Sequence, residues 1–310
     1  MDRGVFWGVI ISLTVTVNMV RADDAVSWVG CGISKLGYMQ ALAEAFENKT
    51  GTPFQLEGGG ATRGLRSVNA GKSQLGGSCR LPLLNASGDG AIDSEAKLKL
   101  IPIGWDALVV TVHPENESVS NITREQLKDV LTGKITTWGE LGSSSNRPIN
   151  LYVRKGKISG VGLTLRQQLF DDPDKSFAQR ATILPSSGKI EKAIEGDPDG
   201  FAVSGISSSR HRAVKMLNLE GIDASLVTLK RGKYPLFRIL FLVAPQDYES
   251  NPVLSQFVDF AFSVEGQRII QNAGTLPFHR GALLLMKASP NYIRAVEVMG
   301  NSGIYTIGGH

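Results

Sequence analysis

Cysteine, histidine and aromatic residues are scarce in this chain: two Cys, four His and 7% Phe, Trp and Tyr in 310 residues. With so few soft ligands, and with His113, His211, His279 and His310 neither at helical i,i+4 spacing nor near a carboxylate at zinc-like spacing, a structural zinc site is excluded. There is no Cys-x-x-Cys and no His-Glu-x-x-His motif. The Gly-x-Ser-x-Gly elbow is missing as well, since the stretch 202–206 lacks both outer glycines. Gly71-Lys72-Ser73 resembles the end of a phosphate loop, but Arg66 stands where its first glycine is required. Charge of one sign is also lacking: 33 Lys+Arg oppose 29 Asp+Glu, with no block of five or six basic residues, so a nucleic-acid footprint is not supported. The sequence therefore offers neither an enzyme motif nor a cofactor motif.

A long apolar run is absent too. The longest, Val5 to Val17, has 13 residues, short of the roughly 20 that span a bilayer. It follows Arg3 and precedes Val20-Arg21-Ala22, the layout of a secretory leader over residues 1–22. Export to an oxidising compartment gives the pair Cys31 and Cys79 two readings: a disulfide, or a thiol pair for a soft metal or metalloid.

What the chain does have is glycine, 35 residues against 13 Pro, placed between short apolar strands and amphipathic helices. Strands are predicted at 25–29, 53–56, 75–78, 107–112, 150–153, 201–204 and 236–243. Helices are predicted at 38–46, 62–69 (with Thr62 as N-cap), 124–131, 163–170 and 254–270. Strand, glycine loop, helix is the pattern of parallel βα units, so the fold class is α/β.

Four strand ends meet small-residue loops: 30–34, 58–62, 76–80 and 159–162. Ligands of open α/β sheets sit beyond the carboxyl ends of strands. Glycine lets backbone N–H groups approach, and helix N-termini favour negative charge. Ser34, Thr62, Ser78 and Ser159 add hydroxyls, and Arg63, Arg80 and Arg154 add cations suited to an oxyanion. The combined chemistry is an anion trap.

The segment Ile122-Thr123-Arg124-Glu125-Gln126-Leu127 through Leu131-Thr132-Gly133-Lys134-Ile135-Thr136-Thr137-Trp138 closely resembles a signature of the PstS-like periplasmic phosphate-binding proteins of ABC transporters. Gly30 to Ser34, Ser78-Cys79-Arg80-Leu81-Pro82, Arg154 to Gly160, Tyr234-Pro235-Leu236-Phe237-Arg238 and Ser263-Val264-Glu265-Gly266-Gln267 fit the same family. The resemblance runs from about Val26 to Phe278. It implies a bilobal type II periplasmic-binding-protein fold, two α/β sandwich lobes joined by two hinge crossings, with the ligand in the cleft between them. On that pattern lobe one covers 23–111 and 236–285, lobe two 112–235, and a tail 286–310.

The resemblance also implies a non-enzymatic, monomeric receptor in the periplasm for phosphate or a related tetrahedral oxyanion, without cofactor. Its partner would be an inner-membrane ABC permease; the alternative is a sensor of the same fold that reports an oxyanion or metalloid to a signalling protein. The ligand set carried over is Gly32, Ser34, Gly60, Thr62, Arg63, Ser78, Arg80, Arg154, Ser159 and Gly160. Three departures stand out. Cys79 occupies the neighbourhood of a family carboxylate, Val161 replaces a threonine, and the Arg154–Ser159 spacing is one residue long. A Cys31–Cys79 disulfide would brace the rim of such a pocket.

Overall fold

The computed structural model describes residues 25–116 and 118–287. The expected leader 1–22 and nearly all of the expected tail 286–310 lie outside the described residues.

Three strands open the chain: β1 (Val26–Gly30), β2 (Phe54–Gly58) and β3 (Leu75–Ser78). β1 pairs in parallel with both others, so the glycine loops at their carboxyl ends share one edge. Between them run α1 (Gly32–Ser34), a π-helical segment Lys35–Met39, α2 (Gln40–Thr50) and α3 (Ala61–Asn69). The N-cap of α3 is Gly60 at φ +89°, not Thr62. Thr62 is the second residue of the helix and sends its hydroxyl to the Ile158 carbonyl at 3.1 Å. Only glycine holds the Gly60 conformation without strain.

β4 (Lys99–Val112) joins the two halves of the molecule, and all but its first residue are buried. Residues 99–107 pair antiparallel with β11 (Phe237–Ala244), which in turn pairs with β3. Residues 108–112 pair instead with β8 (Gly200–Gly205). The partner changes between Ala107 and Leu108, and the Leu108 N–H still reaches back to the Leu236 carbonyl at 3.0 Å.

The second half comprises β5 (Asn121–Ile122), α4 (Arg124–Thr132), β6 (Asn150–Arg154), α5 (Gly160–Leu165) with a π turn at Arg166–Phe170, β7 (Thr182–Leu184), α6 (Ser187–Glu195), β8, α7 (Ile206–Ser209), β9 (Lys215–Met216), β10 (Asn218–Leu219) and α8 (Leu226–Lys230). β6 pairs in parallel with β7 and β8. The Thr123 hydroxyl and the Gln126 side chain cap α4 reciprocally, the arrangement that satisfies two otherwise unpaired backbone donors.

After β11 come α9 (Pro252–Phe262) and α10 (Val264–Ala273), then β12 (Leu276–Pro277) and α11 (Ala282–Lys287). The single helix expected at 254–270 is two. Ser263 breaks it with extended backbone and caps α10 by accepting the Gly266 N–H. Phe46, Phe54, Phe257 and Phe260 interlock edge-on between α2, β2 and α9. The fold is the bilobal α/β architecture expected, a curled sheet in order β2-β1-β3-β11-β4-β8-β6-β7 with helices on its faces. Among the described residues no helix is long and apolar enough to cross a membrane.

Candidate functional site

The glycine loop at 58–62 and the start of α3, from the first half, face the 154–160 segment from the second. A cavity of about 870 Å3 opens between them, with Gly60, Thr62, Arg63, Arg154, Ile158 and Ser159 in its wall. Arg66, Lys72 and Lys155 also border it, against the single carboxylate of Glu57. Such a mouth attracts anions before contact.

Two hydrogen bonds hold the halves together at its inner end. The Ile158 carbonyl accepts from Thr62 Oγ1 at 3.1 Å and from Arg80 Nε at 2.9 Å. Behind them Gly160 lies directly on Cys79: a Cβ added at Gly160 would fall 2.3 Å from Cys79 Sγ. Any larger residue would push the halves apart.

Two buried guanidinium donors beside Cys79 find no acceptor on the protein, Arg154 Nη1 and Arg238 Nη1, and neither does Ser159 Oγ, one residue before Gly160. Unpartnered buried donors cost roughly 1–3 kcal/mol each, more when charged, so their concentration in one place marks a site for an acceptor. The two guanidiniums act on each other and on both cysteines. Burial pushes Arg154 below its ordinary pKa. Burial also works against the Arg238 charge, but Cys79 and Asp106 outweigh it and the pKa is raised.

Arg238 is absent from the set expected from the sequence. It lies fully buried on β11, opposite Asp106 on β4 in the strand register. Its Nε and Nη2 donate to Asp106 Oδ2 at 3.2 and 3.0 Å. Asp106 Oδ1 accepts from the Ser207 N–H and hydroxyl at 3.0 and 2.7 Å. This carboxylate is committed to its protein partners on both oxygens. It aims Arg238 and ties β4, β11 and the start of α7 together at the crossing. The sequence did carry a signal for it: one charge in the interior of each of two largely apolar strands, Asp106 and Arg238, paired in register.

The expected ligand residues divide into groups. Arg154, Gly160 and Ser34 lie around the cysteines, while the Ser159 hydroxyl lies against Gly162. Arg80 does not offer a free guanidinium. All five of its N–H groups are spent, on Ile158 O, Leu81 O, Thr62 Oγ1 and both oxygens of Glu95. Ser78 is spent on its own loop, donating to Arg80 O and accepting the Arg80 N–H. Arg63 is half-exposed at the cavity rim and paired with Glu57. Gly60 and Gly59 bond the Gly30 carbonyl through their N–H groups, which joins the first two glycine loops. Gly32 faces α6, with the Gly188 nitrogen 3.7 Å from where a Cβ would stand.

The expected Cys31–Cys79 disulfide is corrected: both cysteines are free thiols, 4% and 2% exposed. Cys31 caps α1, accepting the Ser34 N–H at 3.3 Å, and its Sγ lies 3.0 Å from Ser34 Oγ. The two thiols lie near each other but are not bonded, and each acts on the other's ionisation. Burial and the neighbouring Cys79 push Cys31 up, whereas the neighbouring Cys31, followed by the charges of Arg238 and Arg154, pulls Cys79 down.

Comparison with known proteins agrees with this geometry. The phosphate-binding protein PstS of Borreliella burgdorferi is 28% identical over 178 residues, covering 56% of this chain and 63% of that protein. This chain thus matches less than two thirds of that relative's length. The phosphate-binding protein PstS of Bacillus subtilis is 26% identical over 243 residues, covering 76% of this chain and 75% of the relative. A Clostridium perfringens protein described as a phosphate ABC transporter substrate-binding protein, solved with bound phosphate, superposes with a TM-score of 0.70 at 25% identity, over 82% of this chain and 99% of that one. A family profile described as the PBP superfamily domain matches residues 31–265, and the chain belongs to that superfamily, among its PstS-like members.

Proposed function

We propose that this protein is the solute-binding component of an ABC transporter and captures inorganic phosphate, or a related tetrahedral oxyanion, between its two lobes. The observation that carries this reading is the pair Arg154 Nη1 and Arg238 Nη1, two neighbouring buried guanidinium donors without an acceptor on the protein, with Ser159 Oγ on the adjoining loop also unpartnered. The relatives named as phosphate-binding proteins support the choice of anion. Capture rather than turnover is the role assigned: the site presents donors and cations with no nucleophile–base pair among the groups that face the anion.

We place the hinge where the chain changes sheets, at Ala107–Leu108 and again just before Phe237, a few residues from the boundaries read off the sequence. Lobe closure would report occupancy to a membrane permease. Residues 1–22 would serve as an export leader, which places the mature receptor outside the cytoplasm. Because Asp106 is committed on both oxygens, the site holds no free carboxylate to accept a proton from the ligand. It should therefore take fully ionised anions without discrimination against them.

Calorimetric titration with phosphate, sulfate and arsenate tests the proposal. Saturable one-to-one binding of phosphate, with arsenate close behind, is expected. A folded protein that binds none of the three would refute it.

A further inference from the structure

The oxyanion reading leaves Cys31 and Cys79 unexplained. They come from two different loops, the first after β1 and the second after β3, and meet beneath the Arg154–Gly160 segment. Both are buried and free, near each other but not bonded, on loops joined by the Cys31 N–H to the Gly77 carbonyl at 3.2 Å, and within reach of the charges of Arg154 and Arg238. An anion needs no thiol, and a structural role would be served equally by two hydroxyls or two methyls. Two neighbouring thiols beside two unpartnered guanidinium donors form a distinct site.

We infer that Cys31 and Cys79 form a dithiol capture site for a trivalent oxyacid of arsenic or antimony, held covalently in the same cleft. The reaction is a double ligand exchange without redox change. Each thiol sulfur forms one bond to the trivalent centre and one hydroxide leaves it. Each thiol proton joins a departing hydroxide, so two waters are released and the metalloid stays trivalent. One hydroxyl remains on the centre. Its oxygen is the acceptor that Arg154 Nη1, Arg238 Nη1 and Ser159 Oγ do not find on the protein.

Charge selects this class over thiophilic metal cations. Two guanidiniums adjoin the thiols, and the one nearby carboxylate, Asp106, is committed to Arg238 and Ser207. Among the described residues no group of three or more His, Cys, Asp or Glu could hold a metal ion. A neutral oxyacid enters such a pocket without Coulombic penalty and keeps an oxygen for the donors, whereas a bare cation has neither advantage. Burial of both sulfurs slows access by bulk oxidants that would otherwise join them.

The test uses the full-length protein, kept reduced with a phosphine so that no competing thiol is present, and sodium arsenite as probe. Equilibrium dialysis with elemental analysis should show one arsenic per chain, with the titratable thiols falling from two to zero. Cys31→Ser keeps a side chain able to cap α1. It should weaken arsenite retention by about 100-fold or more, because losing one of two covalent anchors removes the effective-concentration advantage of the second. Cys79→Ser should do the same, with thermal melting confirming that both variants fold. Arsenite retention equal to wild type in either folded variant, or no retention by the reduced wild type, overturns the inference. Phosphate titration of the same wild-type sample separates the two proposals: arsenite bound without phosphate sinks the oxyanion reading alone, and phosphate bound without arsenite sinks the dithiol reading alone.

Discussion

Arg154 and Arg80 look alike in the sequence, each an arginine beside a small-residue loop, yet the structure assigns them opposite work. Arg154 has a buried Nη1 with no acceptor, and burial disfavours its charge. Replacing it by alanine removes a charge-assisted bond to the anion, worth about 1.5–3 kcal/mol. Phosphate affinity should therefore fall by about 10- to 150-fold. The same change releases an uncompensated buried cation, so the melting temperature should stay level or rise. Arg80 is the reverse case. Its side chain is 2% exposed and faces Glu95, whose side chain is 0% exposed. Arg80→Ala would leave the buried Glu95 carboxylate with only Arg66 and the Leu83 N–H as partners and should cost about 1.5–3 kcal/mol of stability. Calorimetry for affinity and thermal or urea melts for stability, run on both variants, read the two axes separately. If Arg154→Ala keeps wild-type affinity in a folded protein, or if Arg80→Ala melts like wild type, the division of labour drawn from the hydrogen-bond geometry is wrong.

Other consequences can be checked alongside. Arg238→Met removes the second unpartnered guanidinium donor and should weaken phosphate binding by at least as much as Arg154→Ala, measured by calorimetry. Asp106→Asn leaves the buried Arg238 cation without its counter-charge and should destabilise the fold by about 3–5 kcal/mol in urea unfolding. Burial favours the neutral form of Glu95, but its bonds from Arg80 outweigh that and hold the carboxyl below its ordinary pKa. This stabilisation is therefore present above the unfolded-state pKa and is lost as pH falls through the folded-state value. Glu95→Gln should flatten that acid limb of a melting-temperature profile while lowering stability at neutral pH. The cationic cavity mouth should make the phosphate association rate fall with added chloride in stopped-flow experiments, where a rate insensitive to salt would remove Arg63, Arg66 and Lys72 from any steering role.

The fold was largely legible because its signals are local. Alternating or continuous apolar runs bounded by glycine marked β1, β3, β6, β8 and β11, and the Thr123–Gln126 capping box marked α4. The signals that failed depend on tertiary partners. Thr62 has the chemistry of an N-cap, but Ile158 from the other lobe claims its hydroxyl, and the turn falls to Gly60. Ser263 sits inside a helical period, yet its preference for capping splits α9 from α10. The site was half legible. Ser34 lies beside Cys31 and Gly160 beside Cys79, as neighbouring loops allow, and Arg154 keeps a donor without an acceptor on the protein. Ser78 and Arg80 are claimed by neighbours that residue type alone does not reveal. Asp106 and Arg238 required strand register, since a buried ion pair between two apolar strands is visible only once those strands are aligned. The disulfide followed from counting two cysteines, whereas the structure leaves them near each other but not bonded, with Cys31 capping α1.

The central claim is that the three unpartnered donors share one bound anion. A crystal structure of the protein with phosphate tests this directly. Phosphate oxygens within hydrogen-bond distance of Arg154, Arg238 and Ser159, beneath the contact between Gly160 and Cys79, are the expected result. Phosphate seated only among Arg63, Arg66 and Lys72 at the cavity mouth, with those donors still unpartnered, would contradict it.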